Sequence, residues 1–176
     1  MDIKILREEE KDGYFNDILD MLIASDEEFV PPLSARTSTT QSDLTGTKKD
    51  NGGILSYFEE LKKQKILVAT ENDKLIGFVS FKENFENDKI ENTELPNIYI
   101  STLIVSPDGR GKGLTYKMYE SLFKEYENVN VFTRTWSTNT AHIKILSRFN
   151  FKTFCVLEND RGKGIDTIYF KASEMF

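Results

Sequence analysis

The chain has 176 residues, of which 39% are hydrophobic and 12% aromatic, so we expect one compact domain over residues 1–176 with a sizeable core. Its formal net charge is −6, which argues against a nucleic-acid partner because such a partner needs a basic face. The first residues are mixed and charged, and no apolar run approaches the roughly 18 residues of a membrane span, so we expect no membrane association and a cytoplasmic location.

The first half of the chain predicts a strand, two helices and a hairpin. Apolar residues that alternate with polar ones indicate a strand, whereas spacings of three and four residues indicate a helix. Residues 26–53 contain Pro31-Pro32 and many small polar residues, which predicts a long loop. In chain order, the other predicted elements are a strand at 3–5, a helix at 15–23, a helix at 54–61, and strands at 65–70 and 75–81 joined by a turn at 71–74.

The second half predicts strands that alternate with helices. A polar stretch at residues 82–96 separates this half from the hairpin. The predicted elements are a strand at 97–105, a helix at 111–127, a strand at 129–136, a helix at 140–149, and strands at 152–157 and 165–170 joined by a polar turn. These patterns predict an α/β fold, more closely an α+β mixed sheet, with about seven strands flanked by helices.

A glycine-rich segment stands between the strand at 97–105 and the following helix. Residues 106–109 (Ser-Pro-Asp-Gly) break the strand, and residues 110–115 (Arg-Gly-Lys-Gly-Leu-Thr) open the helix. A helix N-terminus has unpaired N–H groups and a positive dipole end, and glycines let the main chain approach an anion. Arg110 and Lys112 add positive charge, so the segment predicts a pyrophosphate site on an otherwise acidic chain.

Two familiar phosphate motifs do not fit this segment. A P-loop needs Ser or Thr directly after its Gly-Lys pair, and here Gly113 follows Lys112. The dinucleotide fingerprint needs a third glycine, and Tyr116 stands at that position.

Residues 105–113 (Val-Ser-Pro-Asp-Gly-Arg-Gly-Lys-Gly) resemble the cofactor-binding signature of the GNAT superfamily of N-acetyltransferases, whose core is Gln/Arg-x-x-Gly-x-Gly/Ala. Arg110 and Gly113 fill the first two fixed positions, and Thr115 replaces the last. Residues 139–151 are similar to the superfamily's Asn-x-x-Ala-x-x-Leu-Tyr segment that ends in Gly-Phe, with Asn150 in place of the glycine. Asn tolerates the left-handed conformation that ends many helices, so the pattern survives this substitution.

The resemblance implies a GNAT-like fold whose parallel strands splay apart at the cofactor site. It also implies acetyl-CoA as the cosubstrate and a primary amine as the acceptor, and no metal is expected. In that family the strand before the loop offers main-chain N–H groups to the thioester carbonyl, for which Ile104 and Val105 are the candidates. The cofactor-binding residues implied are Leu103, Ile104, Val105, Arg110, Gly111, Lys112, Gly113, Leu114, Thr115 and Asn139.

The catalytic groups are less well defined. Leu146 occupies the place where many relatives carry a tyrosine thought to protonate the departing thiolate. His142 lies one helical turn earlier, where it either contacts the cofactor or is a packing residue. Tyr99 and Ser101 share one strand face by the two-residue period, and we expect them to hold a water that relays the amine's proton.

For the acceptor, residues 28–36 lie where the superfamily usually places substrate-recognition elements, and Phe29 and Arg36 are the candidates. Arg36 either pairs with an acceptor carboxylate or is structural. The net charge of −6 favours a cationic small molecule. A non-catalytic acetyl-CoA-binding protein, a protein N-terminal or lysine acetyltransferase, and a homodimer all remain open. The second Arg-Gly-Lys-Gly, at residues 161–164, is expected to be a solvated turn.

Overall fold

The structure, a computed structural model, describes residues 1–41, 44, 53–87 and 93–172, and these form one seven-stranded sheet with helices on both faces. None of the helices in those ranges is long and apolar enough to cross a membrane. The strands are β1 Asp2–Ile5, β2 Lys65–Glu71, β3 Lys74–Glu83, β4 Asn97–Val105, β5 Asn130–Trp136, β6 Lys152–Leu157 and β7 Thr167–Ala172, and the helices are α1 Phe15–Ser25, α2 Gly53–Lys62, α3 Leu114–Glu125 and α4 Thr140–Arg148.

The strands follow the order β1-β2-β3-β4-β5-β7-β6, and every neighbouring pair is antiparallel except β4 and β5. A parallel pair needs a long crossover, which α3 supplies here. The β4–β5 register begins at Asn97 with Asn130 and ends at Ile100 with Thr133, although both strands continue beyond that point. The expected mixed sheet of seven strands, splayed in the middle, is therefore confirmed.

Each face of the sheet is covered by a pair of helices. The face under α3 and α4 packs around residues such as Met118, Leu122 and Leu146, all buried. The opposite face packs around Ile18 of α1 and Tyr57 of α2, also buried. The apolar periodicity that predicted these helices therefore matches the stripes that they bury.

The structure differs from the sequence expectations at several element ends. The predicted loop at 26–53 contains two short 3₁₀ turns, Asp26–Glu28 and Leu33–Ala35, while its residues 42, 43 and 45–52 lie outside the described residues. Helix α3 begins at Leu114 rather than at residue 111, because Gly111 and Gly113 have φ angles of +74° and +68° that cannot continue a right-handed helix.

Candidate active site

A cavity of about 490 Å³ opens where β4 and β5 diverge. Its walls come from the second half of β4, the end of β5, the glycine-rich loop with the first turn of α3, one side of α4, and the end of α1 with the turn after it. The predicted residues that line it are Phe29, Ser101, Leu103, Ile104, Val105, Arg110, Gly111, Gly113, Leu114, Thr115, Asn139 and His142. Three others, Tyr99, Arg36 and Lys112, do not line it.

The loop and the first turn of α3 form an anion site. Gly113 is the N-cap residue of α3, it has no side chain to cap the helix, and the Lys117 N–H donates to its carbonyl at 3.1 Å. The N–H groups of the preceding first turn therefore lack acceptors within the helix, at the positive end of its dipole. A Cβ added at Gly111 or Gly113 would meet no atom within 4 Å, so the positive φ is what requires glycine there. This open, uncapped cradle fits a pyrophosphate.

Gly109 fixes the loop against the sheet. A Cβ at this position would lie 2.8 Å from the Ile76 carbonyl oxygen, 3.0 Å from Leu114 Cδ2 and 3.0 Å from Val105 Cγ1. The same Ile76 oxygen accepts a hydrogen bond from the Ser106 N–H at 2.9 Å, so it belongs to a fixed part of the strand ladder. Only glycine lets the chain turn this close to β3.

Carboxylates pair with both cations of the loop. Arg110 Nη2 donates to both oxygens of Glu28, at 2.7 and 2.9 Å, and both side chains are exposed. Lys112 Nζ lies 2.6 Å from Glu71, and the hydrogen bond from Lys112 lowers the pKa of the Glu71 carboxyl. Lys112 thus points to the outside of the loop, whereas Arg110 and Glu28 both line the cavity. A bound phosphate would compete with Glu28 for Arg110.

The main-chain N–H groups of β4 point alternately towards β3 and towards the gap. The Ser106 N–H bonds to Ile76 of β3, and antiparallel ladders alternate, so the N–H of Ile104 also faces β3. The main-chain groups of Leu103 and Val105 then face the gap towards β5. Arg110 Nε reaches the Val105 carbonyl oxygen at 3.3 Å from that side. The N–H of Val105 therefore faces the gap, as expected. The N–H of Ile104 faces β3 instead, and the N–H of Leu103 faces the gap in its place.

Ser101 sits on a β-bulge. The β3–β4 register joins Ser80 to Thr102 and Phe81 to Ile100, which leaves Ser101 as the extra residue. Its hydroxyl donates to Gln64 Oε1 at 2.5 Å and lies 2.9 Å from Ser80 Oγ. A hydrogen-bonded network thus fixes this polar group at the cavity wall.

Tyr99 lies behind the wall rather than on it. Its side chain is 1% exposed, its ring stacks on Phe85 with centroids 4.2 Å apart, and burial raises the pKa of its hydroxyl. A phenol in this setting keeps its proton. The structure therefore does not bring Tyr99 together with Ser101 at the cavity surface, because its ring belongs to an aromatic cluster in the core.

Two predicted residues of α4 meet the cavity. Asn139 caps the helix by accepting from the His142 N–H at 3.3 Å, and its Nδ2 donates to Thr135 Oγ1 at 2.9 Å. His142 Nε2 lies 2.8 Å from the Tyr119 hydroxyl, and burial lowers the pKa of its imidazole to about 4. Its ring is therefore neutral near pH 7. Leu146, at the position of the superfamily's tyrosine, is fully buried in the core.

In the cavity wall, Phe29 packs against Trp136 with ring centroids 5.8 Å apart. Arg36, the other predicted acceptor residue, is 4% exposed and donates through Nε and Nη2 to the Pro31 carbonyl oxygen at 3.1 and 2.8 Å. Burial lowers the pKa of its guanidinium to about 10. Arg36 therefore has a structural role rather than pairing with an acceptor carboxylate, because its donors hold the turn at 26–36 in shape.

Residue 161, expected in a solvated turn, is buried instead. Arg161 is 6% exposed, donates to the Val30 carbonyl oxygen at 2.6 Å and to Thr167 Oγ1 at 2.8 Å, and lies 5.7 Å above the Trp136 ring. The turn itself is present, with Gly162 and Gly164 at positive φ. The expectation was wrong for the arginine because a turn pattern does not show that a segment 130 residues away packs over it.

Sequence reasoning also missed Arg134 and Trp136, which line the cavity from β5. An available signal was the charge itself, because an arginine within a strand that lies between two others needs a specific partner.

Comparison with known proteins gives the class. The model of the acetyltransferase (GNAT) family matches residues 32–151, more than half of the chain, and the chain therefore belongs to that family. It is an acetyltransferase, and its cosubstrate is acetyl-CoA. A search of curated protein sequences finds no significant match.

Several solved structures share the whole fold at low identity. Salmonella typhimurium yncA, solved with acetyl-CoA, is 18% identical with a TM-score of 0.65 over 98% of this chain and 92% of its own. The aminoglycoside 6′-N-acetyltransferase from Enterococcus faecium is 13% identical, with a TM-score of 0.66 over 98% and 97%. The ribosomal-protein-alanine N-acetyltransferase from Brucella melitensis is 14% identical, with a TM-score of 0.64 over 98% and 99%. At these identities, the likeness concerns the fold.

Proposed function

We propose that this acetyltransferase moves the acetyl group of acetyl-CoA to the primary amine of a small molecule. The observation that carries the proposal is one cavity, which joins the anion cradle, the gap between β4 and β5, and the aromatic pair of Phe29 and Trp136. The turn that carries Phe29 is tied to the sheet, since Arg161 donates to the Val30 carbonyl. A concave cavity of about 490 Å³ suits a small acceptor better than an extended protein segment.

The residues of the chain fit the parts of acetyl-CoA. The first-turn N–H groups of α3 and the guanidinium of Arg110 would hold its phosphates, and Asn139 would lie beside its pantetheine arm. When bound, acetyl-CoA supplies an activated acetyl thioester. The N–H groups of Leu103 and Val105 face the gap and are positioned to donate to an oxygen that gains negative charge there.

An acceptor amine must lose a proton before or during attack, and the cavity offers two groups for this step. Among the described residues that line the cavity, Glu28 is the one carboxylate, and it is exposed enough to accept a proton directly or through water. The Ser101 hydroxyl is held by Gln64 and Ser80, so it is placed to orient a water rather than to take a proton. We assign the base to Glu28 and the water-holding role to Ser101.

The departing thiolate needs a proton, and α4 offers no evident source. His142 lines the cavity, but burial lowers its pKa to about 4, so its neutral ring contributes a hydrogen bond and not a labile proton. Thiols have pKa values of about 8.5, so a thiolate leaves tolerably well without a strong acid. We assign this proton to water.

The proposal is tested in two steps. Acetyl-CoA should raise the melting temperature of the protein, and the protein should then release free thiol from acetyl-CoA when offered a panel of primary amines. Peptides with free N-termini or lysines provide the comparison. A higher kcat/KM for peptides than for every small amine would contradict the small-molecule acceptor, and no thiol release with any amine would contradict amine acetylation.

A further inference from the structure

Arg134 presents an unsatisfied cation to the cavity. It lies on β5 between β4 and β7, one residue beyond the last β4–β5 pair at Thr133. Its Nη1 donates to the Tyr169 hydroxyl at 3.0 Å, and the guanidinium carbon lies 5.7 Å from that ring. Its Nη2 is buried, and within the described part of the chain it has no hydrogen-bond partner. Buried donors without acceptors are rare and unfavourable, so this N–H can gain from an acceptor that a ligand supplies.

Positive charge is concentrated around this atom. Burial, together with the nearby guanidinium groups of Arg36 and Arg134, lowers the pKa of Arg161 to about 9, so the three cations lie close to one another. Over the residues that the structure describes, no carboxylate lies within 4.0 Å of any of the three. The nearby Asp160 accepts instead from the Thr167 hydroxyl.

The three arginines differ in whether their guanidinium N–H groups are already used in hydrogen bonds. Arg36 and Arg161 both use donors on carbonyl oxygens of the turn that covers the cavity. Arg134 is the member of this cluster that lines the cavity and keeps a free N–H. A guanidinium that already holds a hydroxyl on one nitrogen is suited to receive a carboxylate on the other.

We propose that Arg134 binds a carboxylate of the acceptor, so that the substrate class is a small amine that also carries a carboxylate group. This inference rests on the proposed function and specifies its substrate. The carboxylate would satisfy Nη2 and offset the repulsion among the three arginines, while the amine extends towards the gap beside Ser101 and Leu103. Trp136 and Phe29 provide apolar contact for the rest of the molecule.

The positive charge near Arg134 disfavours the cationic acceptor that the net charge of the whole chain suggests. The −6 of the whole chain favours cations, but Arg134 lines the cavity with Arg36 and Arg161 close behind it. A polycationic acceptor would meet repulsion there, in a partly desolvated site where charges interact strongly. The fold shared with the aminoglycoside 6′-N-acetyltransferase therefore does not extend to a shared acceptor class.

Matched amine pairs that differ by one carboxylate test the inference. The pairs are tyrosine and tyramine, phenylalanine and phenethylamine, histidine and histamine, and lysine and cadaverine, with thiol release from acetyl-CoA as the readout. We expect at least one carboxylated member to exceed its partner about 10- to 100-fold in kcat/KM, the range expected for hydrogen bonds to a charged group. Arg134→Gln should remove this advantage, so that the two members of each pair react with similar kcat/KM. Arg134→Lys should restore part of it, and Lys163→Gln, which removes an exposed charge nearby, should have no effect.

Each outcome bears on one of the two claims. If acetyl-CoA stabilises the protein and the decarboxylated amines react as well as their partners, the inference is overturned and the proposed function stands. If acetyl-CoA binds but no amine reacts, calorimetric titration of the same pairs decides the inference, and equal affinity within every pair overturns it. If 1-aminoethylphosphonate binds or reacts better than alanine, the anion is of the phosphate type and the carboxylate assignment is wrong. Absence of acetyl-CoA binding contradicts the proposed function itself.

Discussion

Gly109→Ala is expected to destabilise the protein, because the new Cβ would lie 2.8 Å from the Ile76 carbonyl oxygen. Side-chain carbons essentially never come that close to another atom, and this oxygen already accepts the Ser106 N–H. Either the turn or the end of β3 must move. Overpacking of this kind costs about 1–3 kcal/mol, which corresponds to a fall of about 3–9 °C in melting temperature for a chain of this size.

Thermal unfolding with and without acetyl-CoA measures this effect, and Gly13→Ala is the matched control. A Cβ at Gly13 would meet no atom within 4 Å, and its φ is not in the left-handed region, so that variant should melt at or slightly above the wild-type temperature. Movement of the turn at Gly109 should also displace Arg110, so acetyl-CoA should stabilise Gly109→Ala less than wild type. If Gly109→Ala and Gly13→Ala melt within 1 °C of each other, the close approach to Ile76 is refuted.

The remaining predictions concern charges at the cavity. Glu28→Gln should tighten the binding of acetyl-CoA up to about fivefold because it frees Arg110 from an exposed ion pair, whereas Arg110→Gln should weaken the binding. Equal titration curves for the variants and the wild type would show that Glu28 and the phosphate do not compete for Arg110. The pKa of His142 falls from its ordinary 6.5 to about 4 on folding, so stability should drop as the pH falls from 6.5 towards 4, and His142→Gln should lose that part of the acid sensitivity in urea titrations. Arg161→Gln should destabilise the protein by about 1–3 kcal/mol and raise the acceptor KM, since the Val30 carbonyl loses its donor, while Lys163→Gln should change neither value.

The sequence predicted the architecture well where periodicity was long. Helix α4 and strand β6 were predicted almost to the residue, and the turn between β2 and β3 forms with Asn72 and Asp73 at positive φ. The predicted start of α3 was wrong because apolar periodicity does not show where the glycine-rich segment ends and the helix begins. The positive φ angles of Gly111 and Gly113 exclude a right-handed helix there.

The site divides in the same way into a local and a long-range part. The anion cradle is local, so residues 110–115 were recognisable from their order along the chain. The wall around Phe29 is built from segments far apart in sequence, where Arg161 contacts Val30 and Phe29 contacts Trp136. No period or motif links such positions. The bulge at Ser101 likewise depends on pairing with β3, so the role of each main-chain group on β4 required the register.

Titration of acetyl-CoA into the protein shows whether the loop at residues 110–115 binds this cosubstrate. Wild type and Gly13→Ala should show the same saturable binding of one molecule per chain. Gly113→Ala should bind about 5- to 30-fold more weakly, because the φ of +68° strains alanine by about 1–2 kcal/mol and the cradle must distort. Absence of saturable binding to the wild type, or equal affinity for Gly113→Ala, would contradict the assignment of this loop as the acetyl-CoA site.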